Sequence, residues 1–270
     1  MKITFIGGGN MASAMIGGLL AQGWSAADLR VVEIAAPARE RLEREFAVKT
    51  SAAPDAAAAA ADCIVLAVKP QQMRETARQL SAHLGSQLVI TIAAGIRLAD
   101  LARWLGCYGR LVRVMPNTPA LVRAGASALH ATAAVNAEER SRAEAILGAV
   151  GTTVWVDRED LLDAITAVSG SGPAYVFYFI EALEQAAREL GLPADTARRL
   201  AMETFSGAAR LALASAEPVA TLRERVTSKG GTTERAVKSM DADRVKDAFV
   251  RAVRAAAERS RELGDELGKD

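Results

Sequence analysis

Apolar and polar positions follow two alternating patterns along the first part of the chain. Continuous apolar runs are separated by segments in which apolar residues recur at helical spacing. The runs span residues 3–6, 29–34, 63–68, 88–93, 111–115 and 154–156, and the helical segments include 38–46, 71–80, 98–105 and 137–147. Apolar strands that alternate with helices predict a buried parallel sheet with helices on both faces.

The pattern changes near residue 158, after which no strand pattern recurs. Helical segments follow at residues 158–168, 173–190, 194–214, 219–225, 234–240 and 244–263. We therefore predict two domains, an α/β domain over residues 1–158 and an all-α domain over 159–270. Residues 174–180 are apolar on every helical face, so this helix must be buried on all sides. The simplest partner for it is a second subunit, which predicts a homodimer.

A glycine-rich turn follows the first predicted strand and leads into a helix. It consists of Ile6, Gly7, Gly8, Gly9, Asn10, Met11 and Ala12. Gly7 allows a tight turn, Gly9 lets the backbone approach a pyrophosphate, and Ala12 keeps helix and strand close. The helix N-terminus would face the phosphates. The first domain is thus predicted to be a Rossmann-type, doubly wound parallel sheet that binds a dinucleotide.

Ligands of such sheets bind beyond the carboxyl ends of the strands. Glu33 ends the second predicted strand, where an acid accepts hydrogen bonds from the adenine ribose and favours NAD over NADP. Lys69-Pro70, Ala93-Ala94-Gly95 and Asn117 follow later strands. A solvent-facing Glu33, a plain strand-to-helix turn at Lys69 and a turn-stabilising Asn117 are the alternative interpretations.

Two loops of the second half place glycines and hydroxyl residues before a helix. They span residues 169–173 and 227–233, the second reading Thr-Ser-Lys-Gly-Gly-Thr-Thr. Backbone N–H groups and hydroxyls at a helix start form an anion pocket, whereas the alternative is an ordinary helix cap. The second loop carries more hydroxyls and glycines than a cap requires.

Composition and charge give no sign of a nucleic-acid-binding or membrane protein. The net charge is +1, from 33 Lys and Arg against 32 Asp and Glu, and no basic stripe indicates nucleic-acid binding. Cys63 and Cys107 lack the spacing of a metal or redox motif. No segment has the pattern of a signal peptide or a membrane span, so we expect a cytoplasmic protein without a membrane partner.

The candidate site is poor in acid/base groups. His83 and His130 do not follow predicted strands, and no cluster has metal-ligand spacing, so no metal is expected. Alcohol–ketone exchange needs an acid/base group for the oxygen. A protonated C=N bond is already an activated electrophile, so reduction of an imine with a carboxylate substituent suits these residues better.

The chain resembles pyrroline-5-carboxylate reductases over essentially its whole length. The resemblance rests on residues 5–11, 67–71, 93–95, 113–119, 169–175 and 226–233, of which the last two segments are the specific ones. It implies an NAD(P)H-dependent reduction of 1-pyrroline-5-carboxylate to L-proline, the last step of proline biosynthesis. It also implies a helical domain that interlocks in a dimer, with five dimers forming a decamer in many members.

The resemblance assigns roles by position. Thr233 would hydrogen-bond the ring nitrogen and assist its protonation, as the catalytic residue. The substrate carboxylate would be held by residues of the same loop: Ser228, Gly230, Gly231 and Thr232. The glycine motif, the strand-end position of Glu33 and the resemblance together predict the residues that contact the dinucleotide: Ile6, Gly7, Gly8, Gly9, Asn10, Met11, Glu33, Ala67, Val68, Lys69, Pro70, Ala93, Ala94, Gly95 and Asn117.

One departure bears on the cofactor. Many members carry a polar or basic pair, often Asn-Arg, where this chain has Glu33-Ile34. That pair suits a 2′-phosphate, so we expect NADH to serve at least as well as NADPH.

Two rival functions are weaker. A β-hydroxyacid dehydrogenase would carry Gly-x-Gly-x-x-x-Lys-x-x-x-Asn, but alignment on Gly170 and Gly172 puts Val176 and Ile180 at the lysine and asparagine positions. A non-catalytic dinucleotide-binding regulator would not need the loop at residues 227–233.

Overall fold

The computed structural model describes residues 1–269 and divides the chain into two compact units. The first unit contains Met1–Gly170 and the segment from Ala256 onward, and the second is Ser171–Ala255. The predicted domain boundary at residue 158 follows the end of the strand pattern, and it stays a prediction.

One sheet of eight strands forms the centre of the first unit, in the order β3-β2-β1-β4-β5-β6-β7-β8. All neighbouring strands are parallel except β6 and β7, which are antiparallel. The strands are β1 (Ile3–Ile6), β2 (Leu29–Val32), β3 (Lys49–Ser51), β4 (Cys63–Leu66), β5 (Leu88–Thr91), β6 (Leu111–Met115), β7 (Gly125–Ala131) and β8 (Gly151–Trp155).

Helices cover both faces of this sheet, as predicted. They are α1 (Asn10–Ala21), α2 (Ala36–Phe46), α3 (Ala56–Ala59), α4 (Pro70–Ser81), α5 (Leu98–Trp104) and α6 (Ala137–Gly148), followed by α7 (Leu161–Ile165) and a π-helical turn (Thr166–Gly170). Alternate strand residues point to opposite faces, so Phe5 and Val65 join one apolar cluster while Ile64 and Leu66 join the other.

The second unit is helical, as its sequence pattern predicts. Its helices are α8 (Gly172–Glu189), α9 (Ala194–Leu213), α10 (Val219–Arg225), α11 (Thr232–Ala242) and the first part of α12 (Val245–Leu267). Tyr175 and Phe179 of α8 pack their rings against Phe249 of α12, with ring centroids 5.5 and 5.7 Å apart. The surface of α8 is still open in the single chain, where Phe177 is 65% and Tyr178 69% exposed.

The structure corrects several predicted elements. Strands β3 and β7 were not predicted, because the first is short and polar and the second is rich in Ala, Ser and Gly, which have low strand propensity. The predicted helix at 158–168 begins only at α7 and widens into the π-helical turn. Helix α11 begins two residues earlier than predicted, so Thr232 and Thr233 are its first residues.

Among residues 1–269, no helix is both long enough and apolar enough to cross a membrane.

Candidate active site

The three glycines after β1 have different surroundings. Gly7 has φ +102°, and a Cβ atom there would lie 2.7 Å from the carbonyl oxygen of Ala67. At Gly8 a Cβ atom would lie 2.5 Å from Cδ1 of Leu42. At Gly9 a Cβ atom would meet nothing within 4 Å, so this backbone faces open space. Gly7 is therefore required by its backbone conformation and its packing, a side chain at Gly8 would displace Leu42, and Gly9 leaves room for a ligand.

The N-terminus of α1 fits a pyrophosphate. Gly9 is its N-cap residue, no side chain caps the helix, and its first turn contains no acidic residue. The backbone N–H groups at the start of a helix need an acceptor, and the helix dipole favours an anion. An uncapped, unobstructed helix start is what a dinucleotide phosphate requires.

A cleft of about 530 Å³ lies beside this turn at the carboxyl ends of the central strands. It brings together eight of the predicted cofactor residues: Ile6, Gly7, Gly8, Gly9, Glu33, Ala67, Val68 and Lys69. The cleft is also lined by residues for which the strand-end rule gave no signal. These are Ala52, Ala53 and Pro54 after the unpredicted β3, and Gln71, Gln72, Glu75, Thr76 and Gln79 of α4.

Glu33 is fixed by the backbone around it. Its Oε2 accepts a hydrogen bond from Gly8 N at 2.9 Å, and its Oε1 accepts one from Ala35 N at 2.9 Å. The carboxylate thus ties the glycine turn to the start of α2. Each carboxylate oxygen has a further lone pair, so Glu33 can still accept from a ribose hydroxyl.

Two arginines of α2 reach the same region, although no sequence motif indicates a role for them. Nη1 of Arg39 donates to the carbonyl oxygens of Glu33 and Ile34 at 2.8 and 2.9 Å, and Nη2 of Arg41 donates to Gly8 O at 3.3 Å. They brace the main chain on either side of the Glu33 carboxylate.

The remaining predicted cofactor residues lie outside the lining of this cleft. Asn10 and Met11 begin α1, and Pro70 begins α4. Ala93, Ala94 and Gly95 follow β5, where Gly95 has φ +75°.

Asn117 lies in the loop after β6 and binds two parts of the first unit. Its Oδ1 accepts from Ala126 N at 2.8 Å, and its Nδ2 donates to Ser169 O at 3.1 Å. It therefore joins this loop to β7 and to the π-helical turn. These bonds agree with the turn-stabilising alternative, and each end of the amide retains one further hydrogen-bonding position.

The predicted substrate residues surround the N-terminus of α11 in the second unit. Gly231 is the N-cap residue, and no side chain caps the helix. Gly230 has φ +75°, and Gly231 N donates to Ser228 O at 3.0 Å, so the loop closes in a tight turn. Within residues 1–269, the hydroxyls of Ser228, Thr232 and Thr233 have no hydrogen-bond partner. Donors of two kinds are therefore available to an anion here.

Glu234 holds this loop, although it is not among the residues predicted from the sequence. Its Oε2 accepts from Gly230 N at 2.7 Å, and its Oε1 pairs with Nζ of Lys238 at 3.1 Å. The Gly230 N–H and then the Lys238 ammonium hold the pKa of the Glu234 carboxyl below its usual value. A Glu at the third position of a helix is a helix-start signal that spacing alone indicates, although here it accepts from Gly230 N and not from the N-cap residue Gly231.

The histidines have structural surroundings. His83 is exposed after the end of α4, and Nδ1 of His130 lies 3.0 Å from Val156 O. No group of three or more His, Cys, Asp or Glu that could hold a metal occurs in the part of the chain that the structure describes.

Two family models match the chain. Residues 2–95 match the model described as NADP oxidoreductase coenzyme F420-dependent, and residues 159–263 match the model described as pyrroline-5-carboxylate reductase dimerisation. With the open glycine turn, the first match defines the class as an NAD(P)H-dependent oxidoreductase. The second provides a domain for self-association.

Comparison with individual relatives shows the family to which this chain belongs. The pyrroline-5-carboxylate reductase of Pseudomonas aeruginosa is 47% identical over 269 residues, which are 99% of this chain and 98% of the relative. A solved pyrroline-5-carboxylate reductase from Coxiella burnetii has a TM-score of 0.92 at 42% identity and covers 97% of this chain and 98% of its own. Plasmodium falciparum pyrroline carboxylate reductase, solved with NADP bound, has a TM-score of 0.87 at 29% identity and 98% coverage of both chains. This chain belongs to the pyrroline-5-carboxylate reductase family.

Proposed function

We propose that this protein reduces the C=N bond of 1-pyrroline-5-carboxylate and forms L-proline, with NAD(P)H as the reductant. The observation that carries the proposal is the 47% identity to a protein of that name over 99% of the chain. The uncapped start of α1 and the free hydroxyls at the start of α11 supply the two anion-binding regions that this reaction needs.

The first unit would hold the dinucleotide. The backbone of Gly9, Asn10 and Met11 would bind its pyrophosphate, and the other predicted cofactor residues would line it. When bound, the dinucleotide supplies a hydride for the imine carbon. The chain itself has to place the imine beside the dinucleotide and to provide for the proton on nitrogen.

The second unit would hold the substrate. Its carboxylate would lie against the turn formed by Gly230 and Gly231. There it would accept hydrogen bonds from the hydroxyls of Ser228 and Thr232 and from the backbone N–H groups of the first turn of α11, because the N–H groups of the two glycines already donate to Glu234 and Ser228. The Thr233 hydroxyl would hydrogen-bond the ring nitrogen and assist its protonation. These assignments rest on the family resemblance and on the open hydroxyls at the start of α11.

Activity measurements test the reaction. We expect the wild-type protein to oxidise NADH or NADPH only when 1-pyrroline-5-carboxylate is present. Thr233→Ala should lower kcat/KM by about 100-fold, because it removes a hydrogen bond at the reacting nitrogen. Thr233→Ser should restore most of the activity, and Ser239→Ala, an exposed hydroxyl on the same helix, should change little.

The outcomes of this experiment separate two claims. A wild-type protein without turnover would overturn the proposed reaction. Unchanged activity in Thr233→Ala would leave the reaction standing and remove the role of Thr233.

NADH is proposed to serve at least as well as NADPH. The support is the Glu33 carboxylate, which is held beside the glycine turn by Gly8 N and Ala35 N and would repel a 2′-phosphate. We expect kcat/KM for NADH to equal or exceed that for NADPH, and Glu33→Gln to shift the ratio toward NADPH. Glu40→Gln, the same charge change at an exposed position of α2, should leave the ratio unaltered. A strong NADPH preference of the wild type would contradict the proposal.

The assembly is proposed to be a homodimer formed through the helical unit, with a decamer of five dimers as the larger form that the resemblance implies. Support comes from the match to the dimerisation family and from the open aromatic surface of α8.

The protein is proposed to reside in the cytoplasm. Cys63 and Cys107 are both free thiols, which supports a reducing compartment.

A further inference from the structure

We propose that the carboxy-terminal turn of the chain, residues 261–268, positions the Ala93-Ala94-Gly95 loop for dinucleotide binding. This inference rests on the proposed function, in which that loop lines the dinucleotide. The turn comprises the end of α12 and the residue after it. It belongs to the same compact unit as the loop, although more than 160 residues separate them in sequence.

Apolar contacts join the turn to Gly95. Gly95 is buried and has φ +75°, and a Cβ atom there would lie 2.9 Å from Cδ1 of Leu267 and 3.6 Å from the carbonyl carbon of Leu263. Leu267 also packs on the apolar cluster that contains Ala93 and Ile96. The turn therefore forms the surface on which the back of the loop rests.

Polar contacts hold the turn at the other end of the loop. Arg97, the residue before α5, pairs through Nη1 with Oδ1 of Asp265 at 2.7 Å and donates from Nη2 to Arg261 O at 3.4 Å. A Cβ atom at Gly264 would lie 3.1 Å from Nε of Arg97, so the guanidinium group lies directly on the helix backbone. Arg103 Nη2 donates to Gly268 O at 2.9 Å.

A buried hydrogen bond fixes α12 just before this turn. Ser260, which is 4% exposed, donates from Oγ to Oδ1 of Asp163 at 2.7 Å. This bond fixes the position of the end of α12 relative to α7, so Leu263 and Leu267 contact the loop in a single register.

These contacts predict an effect on binding. A loop that is already held in its binding shape does not have to be ordered when the ligand arrives, so affinity is greater. Loss of the turn should free the loop between β5 and α5. The dissociation constant of the dinucleotide should then rise, whereas kcat and the KM for the imine should change little.

The test compares variants of the full-length protein. Leu267→Ala and Arg97→Ala should each raise the Kd and KM for the dinucleotide by about three- to tenfold, the range that loss of part of one packing or charged contact gives. Leu267→Met should restore wild-type values because it keeps the side-chain volume. Arg259→Ala is the matched control, since within residues 1–269 the ion pairs of Arg259 are to Glu262 and Glu266 on α12 itself.

Three measurements read out the result: the Kd for NADH and NADPH by fluorescence titration, the separate KM values, and the melting temperature. A lower melting temperature with an unchanged Kd in Leu267→Ala and Arg97→Ala would overturn this inference and leave the proposed function standing. A wild-type protein that neither binds nor oxidises a dinucleotide would overturn the proposed function itself.

Discussion

Gly7 and Gly9 lie two residues apart, yet the structure needs them for different reasons. Gly7 has φ +102° and contacts the Ala67 carbonyl, whereas Gly9 has an ordinary extended conformation and open space around its Cα. A substitution at Gly7 strains the fold, and one at Gly9 blocks only what binds there. The glycine motif already predicts different roles for the two residues, and their surroundings in the structure agree with that difference.

Alanine substitutions separate the two roles. Gly7→Ala should lower the free energy of unfolding by about 3 kcal/mol, from the positive φ and the contact with Ala67. Gly9→Ala should cost about 1 kcal/mol or less, as an N-cap change, but should weaken dinucleotide binding by about tenfold or more. Thermal unfolding and dinucleotide titration measure the two effects. Equal melting temperatures for the two variants would contradict this account.

The two cysteines should differ sharply in reactivity. Cys63 begins β4 and is fully buried, and burial raises the pKa of its thiol to about 12, whereas Cys107 is exposed. Because the thiolate is the reactive species, a thiol reagent at pH 8 should modify Cys107 alone in the native protein. Cys63 should react only after unfolding, and Cys107→Ser should show no fast thiol. Two rapidly reacting thiols in the native wild type would be inconsistent with the buried position of Cys63.

The raised pKa of the Cys63 thiol also makes the stability of the fold depend on pH. The thiol of Cys63 stays neutral in the folded state up to a pKa of about 12, whereas in the unfolded chain it ionises near its ordinary value of 9.0. Its contribution to stability is therefore fully present below pH 9 and is lost as the pH rises from there toward 12. Cys63→Ala should reduce the alkaline loss of stability relative to the wild type.

At the scale of elements, the loop after β6 depends on Asn117. This side chain joins Ala126 at the start of β7 to Ser169 in the π-helical turn. We expect Asn117→Ala to destabilise the protein by about 2 kcal/mol, because two hydrogen bonds are lost and partly buried groups are left without partners. Asn117→Asp keeps the bond from Ala126 but places a carboxylate against the Ser169 carbonyl, so it should also destabilise. Denaturant unfolding tests both, and stability equal to wild type in Asn117→Ala would exclude a clamp at this position.

Elements with a strong periodic pattern could be predicted from the sequence, and those that depend on tertiary contacts could not. Strands β1, β4 and β5 are buried on both faces and are apolar apart from Thr4 and Thr91, so their pattern is almost continuous. Strand β7 is built from small residues whose pairing with β6 and β8 decides their conformation. The sequence of the π-helical turn gives no local signal for its conformation. The turn is bound by Asn117, which lies 52 residues away in the chain.

At the scale of the whole molecule, some residues of the site are indicated by a local motif, whereas others depend on tertiary contacts. The glycine turn and Glu33 follow from a local motif, and the cleft brings them together with Ala67 and Val68. The wall formed by Ala52–Pro54 and α4 needs the sheet order before it can be located. The contact between Gly95 and Leu267 joins residues that are distant in the chain, and no spacing rule indicates it.

Helix α8 connects the sequence pattern to assembly. The sequence predicts full burial of residues 174–180, but the single chain leaves Phe177 and Tyr178 more than half exposed. Residues 159–263 match a dimerisation family, so the surface of α8 is the natural candidate for the contact between subunits. Large aromatic side chains at the centre of an interface carry a disproportionate share of the binding energy.

A charge at this surface should therefore dissociate the protein. We expect Phe177→Lys to sediment as a smaller species than the wild type at micromolar concentration, because a lysine ammonium cannot be buried there without a partner. Val122→Lys, at an exposed apolar residue outside the matched region, should sediment as the wild type does. Circular dichroism should show that both variants retain their helices. If Phe177→Lys kept the wild-type mass, the contact between subunits would have to lie on another surface, and if the wild type were a stable monomer on dilution, the homodimer proposal itself would fail.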